Sequence, residues 1–305
     1  MKTALIIYHR IDFDGLCSLS VISNWCEGLG IQFKKLGYSY GDDVPQFKKN
    51  YDMVFVVDVT LPHETMRDLN RHGKLIWIDH HVTNINDSEK EGYSDAPGIR
   101  RIGVGACELC WQYCFKKHPL PHFIELLSAY DVWDKKRFDW ENETLPFQMG
   151  LRNHIDLDPD RFAAYYNYSI YGSEGRKTEQ RILEQGRTIV SYSRSIGKKA
   201  CDTYGFVVEI DGGRIRGLCL LTPHYGAMEM EESLKERGCQ VAICINYIAN
   251  KDIYKISLYA GSTDIGNFNL GQYMKDNYKG GGHQCAAGGT LSQEKFITLL
   301  TKHTL

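Results

Sequence analysis

The stretch Lys74–Thr83, Lys-Leu-Ile-Trp-Ile-Asp-His-His-Val-Thr, limits what this chain can fold into more than any other segment. Leu75–Ile78 reads as a short buried strand, and the apolar run then breaks into Asp79-His80-His81. Three groups able to bind a metal ion or carry a proton thus sit where a strand ends. In open parallel α/β sheets the crevice beyond the carboxyl ends of the strands is where ligands bind. An isolated Asp-His-His also serves as a capped turn with solvated histidines, so the other strand ends decide between the two readings.

Those ends supply matching groups. Thr3–Tyr8 reads as an apolar strand running into His9-Arg10-Ile11-Asp12-Phe13-Asp14-Gly15, where Gly15 permits a tight turn into a helix over Leu16–Leu29. Alternation in an extended segment puts Asp12 and Asp14 on one side. A weak strand near Ile31–Leu36 follows, then a strong one at Met53–Val57 that ends in Asp58. His63–His72 reads as a helix closed by Gly73. Strand, helix, strand, helix, strand with right-handed crossovers brings these ends to one edge of a parallel sheet, so the fold class is α/β. A helix over Pro121–Tyr130 delivers Asp131, whose charge opposes the helix dipole and calls for a cationic partner.

Two cofactor motifs are excluded. Gly103-Val104-Gly105-Ala106 opens a helix reaching about Lys117, but Glu108 stands where a dinucleotide fingerprint needs its third glycine. No Gly-x-x-x-x-Gly-Lys-Ser/Thr occurs, which removes a P-loop. Cys107, Cys110 and Cys114 share one helix face, yet no second cysteine pair stands at zinc-site spacing, so core packing is favoured over metal. The ten cysteines lie mostly in apolar runs and read as reduced buried thiols.

Beyond residue 172 the character changes. A mostly polar helical segment leads to strands near Thr203–Ile210, Arg214–Leu220, Val241–Ile245 and Ile253–Tyr259, and to a helix near Leu270–Asn277. Lys279-Gly280-Gly281-Gly282-His283 follows, a run whose amides can form an anion-binding nest beside an imidazole. The expected division is a metal-binding domain over 1–172, a helical linker over 173–200 and a smaller mixed α/β domain over 201–305. No run approaches the length of a membrane span and no secretory leader is evident, so a cytoplasmic protein without membrane partners is expected. The formal net charge of -2 disfavours wrapping long duplex nucleic acid and remains compatible with a small phosphorylated substrate.

Collected, the first domain offers His9, Asp12, Asp14, Asp58, Asp79, His80, His81 and Asp131. Carboxylates with a minority of imidazoles suit manganese or magnesium, and so many like charges at one sheet edge need cations to remain ionised. Two ions ~3.5–4 Å apart would clamp the attacking and leaving oxygens of an in-line displacement, which matches phosphoester hydrolysis.

With His9–Gly15, Asp58, Asp79-His80-His81, Asp131 and Gly280–His283 in this order, the chain resembles the DHH phosphoesterase family, in the branch with a DHH-associated C-terminal domain. The resemblance implies a doubly wound first domain, with one manganese on His9, Asp12 and a bridging Asp58, and another on Asp14, Asp58, His80 and Asp131. It implies that Asp79 orients the histidines, that His81 contacts the scissile phosphate, and that His283 with the amides of Gly281 and Gly282 binds a substrate phosphate. His9 and Asp12 lie three apart where many relatives have four. Relatives that hydrolyse oligonucleotides often carry Ser-Leu-Arg-Ser where this chain has Ser257-Leu258-Tyr259-Ala260, and Tyr259 is available to stack on a base instead.

The activity so implied is manganese-dependent hydrolysis of very short RNA or linear dinucleotides to mononucleotides, with removal of the 3′ phosphate of adenosine 3′,5′-bisphosphate as an addition. Competing expectations are a cyclic-dinucleotide phosphodiesterase, an inorganic pyrophosphatase or polyphosphatase, and an inactive nucleotide-binding protein. The reading leaves room for a homodimer.

Overall fold

The computed structural model describes residues 1–43, 50–172, 174–222, 225–261 and 265–305. The chain divides into two compact units, Met1–Arg187 and Thr188–Leu305. Residue 173, where the linker is expected to begin, lies outside the described residues.

The first unit is built on four parallel strands, β1 (Thr3–His9), β2 (Gln32–Tyr38), β3 (Met53–Val57) and β4 (Leu75–Ile78), in the order β2-β1-β3-β4. The chain enters at β1, steps outward to β2, and returns to the other side of β1 for β3. The winding therefore reverses between β1 and β3, and a crevice opens beyond their carboxyl ends. Strand alternation decides which helices cover which face. Ala4, Ile6 and Tyr8 of β1 join Phe55, Val57 and Ile78 in one core, against helices α1 (Phe13–Gly28), α4 (Ala106–Cys114), α5 (His122–Asp131), α6 (Leu145–Ile155) and α7 (Pro159–Tyr171). Leu5 and Ile7 face the other way with Val54, Val56 and Trp77, against Met66 and Leu69 of α2 (His63–Arg71). Each such fully buried side chain contributes about 1.5–3 kcal/mol relative to exposure.

Two stretches lie outside the sequence expectation. Val82–Lys90 is a helix, α3, although it opens on β-branched Val82 and Thr83 and holds two asparagines, so its propensity is poor. A π-helical turn over Trp140–Thr144 feeds α6, and Asp158 caps α7 through the amides of Asp160 and Arg161. The long helix α8 (Gly175–Tyr204) starts in the first unit, where Ile182 and Leu183 are core residues, and ends in the second, where Cys201 is fully buried.

The second unit carries a mixed six-stranded sheet in the order β5-β6-β7-β8-β10-β9. Its strands are β5 (Phe206–Ile210), β6 (Ile215–Leu220), β7 (Val241–Ile248), β8 (Ile253–Ala260), β9 (Gly281–Gly282) and β10 (Ala286–Leu291). Among the described residues of this sheet only β6 and β7 pair in parallel, and α9 (Ala227–Glu236) lies in that crossover. Met230 and Leu234 of α9 cover one face, while α10 (Leu270–Tyr278) and α11 (Gln293–Lys302) cover the other through Leu270, Met274 and Leu299. All ten cysteines are free thiols, and Cys107 and Cys110 are fully buried packing residues of α4. Among the described residues no helix is long and apolar enough to cross a membrane.

The turn from β1 into α1 depends on Gly15, where an added Cβ would lie 1.9 Å from the His9 carbonyl oxygen. Gly28, at the other end of the same helix, has nothing within 4 Å. Gly15→Ala is therefore expected to lower stability by about 1–3 kcal/mol or more through overpacking, whereas Gly28→Ala raises it by about 0.4–1 kcal/mol. Denaturant midpoints of the two variants beside the parent check both signs.

Candidate metal centre

Four chain segments place the predicted ligands at the crevice. β1 ends in His9, β3 runs into Asp58, β4 runs into Asp79-His80, and α5 ends in Asp131. Asp12 and Asp14 arrive differently from the alternation expected of an extended segment. Asp12 is the N-cap of α1, its Oδ1 accepting from the Gly15 amide at 2.8 Å, and Asp14 already belongs to the first helical turn. A helix start leaves its first amides without intrahelical partners, and the Asp12 carboxylate meets one of them. Asp14 caps in turn the start of α4, where its Oδ2 accepts from the Ala106 amide at 2.7 Å and its Oδ1 from that of Cys107 at 2.8 Å. Gly105 makes this approach practicable, since a Cβ there would lie 2.8 Å from Ser128 Cα and 3.1 Å from Asp14 Oδ1.

The ligands form two groups that share one carboxylate. His9 Nδ1 stands 2.8 Å from Asp12 Oδ2 and 3.7 Å from Asp58 Oδ2. His80 Nε2 stands 3.2 Å from Asp58 Oδ1, 3.3 Å from Asp131 Oδ2 and 3.7 Å from Asp14 Oδ2. Asp58 thus turns one oxygen toward each histidine. Its backbone reaches that position at φ 59°, the left-handed region in which non-glycine residues are strained.

A cation fits this donor set better than internal hydrogen bonding does. Among the described residues both ring nitrogens of His9 and Oδ2 of Asp58 are buried without a properly aligned hydrogen-bond partner, despite the short His9–Asp12 approach. His9, Asp12 and Asp58 each offer one ligand atom within 4.8 Å of the others, as do Asp14, His80 and Asp131. Buried acceptors converging without donors suit divalent ions on carboxylate and imidazole.

The electrostatics agree. Burial, then the neighbouring Asp14 and Asp12 carboxylates, push the Asp58 carboxyl well above the ordinary range. Asp131, although its side chain is 26 % exposed, is raised likewise by desolvation and by Asp14. Burial lowers His9, but Asp12 and Asp58 more than reverse this and the imidazole rises to about 10.

Asp79 also offers a ligand atom within 4.8 Å of Asp58, His80 and His81, but its acceptor sites are already engaged. Oδ1 accepts from the His80 amide at 2.7 Å, the His81 amide at 3.2 Å and His81 Nδ1 at 2.7 Å. Oδ2 accepts from Thr60 Oγ1 at 2.9 Å, Trp77 Nε1 at 3.3 Å and Asn84 Nδ2 at 3.4 Å. Burial would raise this carboxyl, yet the bonds from His81 hold it down at about 2. Asp79 thus holds the His81 ring through Nδ1 and the His80 backbone through its amide. The sequence reading missed Thr60, Trp77, Asn84 and Tyr40, whose hydroxyl accepts from the Thr60 amide and Asn84. Trp77 was visible in the motif, but its indole could be matched to Asp79 only once both stood at the end of β4.

The remaining predicted residues belong to the second unit. Gly281 and Gly282 form a two-residue edge strand paired with Gly288 and Ala287, a strand where the sequence suggested a nest-like loop. Gly282 sits at φ 144°, and a Cβ there would lie 2.4 Å from the Ala286 carbonyl. His283 is exposed, and its amide donates to Ala286 O at 2.7 Å. Tyr259 stands opposite Ala286 in β8 and packs beside Gly226 at the start of α9.

The metal-free protein should be weakest at high pH. A carboxyl raised in the folded state, as at Asp58, costs stability as pH climbs above the unfolded value of about 4. His9, raised to about 10, contributes stability below about pH 6.5 that is lost as pH rises through its folded value. Divalent ions require the deprotonated ligands, so manganese should raise the thermal midpoint more at about pH 8.5 than at about pH 6. Thermal melts with chelator and with manganese at the two pH values check this.

No protein-family model matches the chain, and no curated protein matches it by sequence. Solved structures do match. The pGpG-specific phosphodiesterase PggH from Vibrio cholerae superposes with a TM-score of 0.57 at 14% identity, covering 99% of this chain and 97% of that one. RecJ in complex with Mn2+ from Thermus thermophilus gives 0.50 at 15% identity, covering 99% of this chain and 51% of that one. At these identities the likeness is one of fold. With a parallel sheet whose strand ends gather the Asp-His-His motif and its acidic companions, followed by a mixed-sheet unit, the chain has the fold of the DHH-family phosphoesterases.

Proposed function

We propose that this chain is a manganese-dependent phosphodiesterase that hydrolyses short oligoribonucleotides or linear dinucleotides to mononucleotides. The observation that carries the reading is Asp58, a buried carboxylate with Oδ2 3.7 Å from His9, which it joins with Asp12 in one group, and Oδ1 3.2 Å from His80, which belongs with Asp14 and Asp131 to another. His9, Asp12 and Asp58 would hold one ion, and Asp14, Asp58, His80 and Asp131 the other. Such a pair supplies Lewis-acid activation of water and of a phosphoryl group. The donor set of carboxylates with two imidazoles favours manganese over the all-oxygen preference of magnesium.

The protein's own part is positioning. Asp79 fixes the His81 ring through Nδ1, which aims that imidazole at a scissile phosphate held over the centre. In the second unit, His283 with the amides of Gly281 and Gly282 would bind a substrate phosphate, and Tyr259 would stack on a base. Likeness in fold to a phosphodiesterase named for pGpG supports a linear dinucleotide as the substrate to try first. The activity is proposed for a cytoplasmic setting, with no membrane and no long duplex involved.

Manganese-loaded protein should turn over a linear dinucleotide and a pentanucleotide RNA, and act poorly on an RNA of two dozen nucleotides, a cyclic dinucleotide and pyrophosphate, all assayed in parallel. Asp58→Asn should reduce turnover by at least about 100-fold with the circular dichroism spectrum retained. Unchanged turnover would remove Asp58 from its bridging role. Asp79→Asn should weaken manganese binding by about 10–100-fold, read by titration calorimetry, because the histidines lose their fixed orientation.

A further inference from the structure

The Tyr40 hydroxyl is held in a way that leaves its proton without an acceptor. Its oxygen accepts from the Thr60 backbone amide at 3.1 Å and from Asn84 Nδ2 at 2.8 Å. The Thr60 amide can only donate. The Asn84 atom is fixed as nitrogen because it also faces Asp79 Oδ2 at 3.4 Å, an oxygen that already accepts from Thr60 Oγ1 and Trp77 Nε1. A hydroxyl oxygen has two lone pairs, and both are taken. The O–H of Tyr40 is therefore a third bond with no acceptor among the described residues.

The ring carrying this donor stands on the wall of the metal centre. It meets His9 edge-on at a centroid distance of 5.8 Å and His81 at 6.2 Å. The residue is 49% exposed, so the side chain borders open space while its oxygen is anchored. The two incoming bonds fix the oxygen, which makes the donor preorganised: no reorganisation is needed when a negative oxygen arrives. The anchors come from the segment after Asp58 and from α3 behind Asp79, so the donor moves with the metal ligands.

We infer that Tyr40 is a catalytic residue whose hydroxyl donates a hydrogen bond to a nonbridging phosphoryl oxygen of the substrate as negative charge builds there. This rests on the phosphodiesterase reading given above. No bond is made or broken by Tyr40 and its proton stays on the phenol oxygen, so the role is electrostatic. The neighbouring His81 would serve the same phosphoryl group from a second direction, and the two donors would share the developing charge.

Tyr40→Phe tests the assignment, because it removes the donor and keeps the ring against His9 and His81. With manganese and a linear dinucleotide, kcat should fall by about 100-fold, while KM, the manganese affinity and the thermal midpoint stay within about twofold or a few degrees of the parent. An unchanged kcat overturns the donor role. So does a kcat loss accompanied by weaker manganese binding, since Tyr40 would then act only by propping Asn84 and Thr60. Both results leave the phosphodiesterase reading standing, whereas a parent protein that hydrolyses no phosphodiester with manganese removes that reading itself.

Discussion

The crowding of carboxylates around Asp58 is the constraint on which the first unit depends. Asp12, Asp14, Asp58 and Asp131 come together with two histidines, and no lysine or arginine forms an ion pair with any of the four among the described residues. Like charges at such separations cannot all remain ionised in a buried place without compensation. A fold that served only its own stability would replace them with apolar side chains. Their retention at the winding reversal between β1 and β3, where ligand crevices form, ties the arrangement to cation binding.

The surrounding structure is a set of devices that hold this unfavourable cluster in place. Asp58 takes a left-handed backbone conformation, Asp12 caps α1, Asp14 caps α4, and Asp79 accepts bonds on both oxygens. The Asp12 and Asp14 devices draw on ordinary backbone hydrogen bonding, so positioning these two carboxylates also completes helix ends that would otherwise carry unsatisfied amides. The two apolar cores on either face of the sheet supply the free energy that tolerates the strain.

Much of this was legible in the residues. β3 and β4 fall where apolar runs of five and four residues end in acidic groups, and the structure brings the six predicted ligands into groups whose atoms lie within 4.8 Å of one another. What was not legible has physical reasons. Asp12 and Asp14 converge by helix geometry, which period-two reasoning cannot anticipate. The helix α3 is made by its surroundings against poor local propensity, and with it came Asn84 and the link to Tyr40. The glycines after residue 279 announce a need for close backbone approach but not its form, which is an edge strand against β10. Contacts made by residues far apart in the chain, such as Thr60 with Asp79, have no signature in spacing.

Asp14 belongs at once to the cation cluster and to the first turn of α4, so position 14 answers to two demands through a single functional group. An apolar replacement such as alanine strips the helix start of its acceptors in the same stroke that removes the carboxylate. Lesions at this codon would therefore surface in a genetic screen as unstable, poorly accumulating protein, and would be misfiled among folding defects.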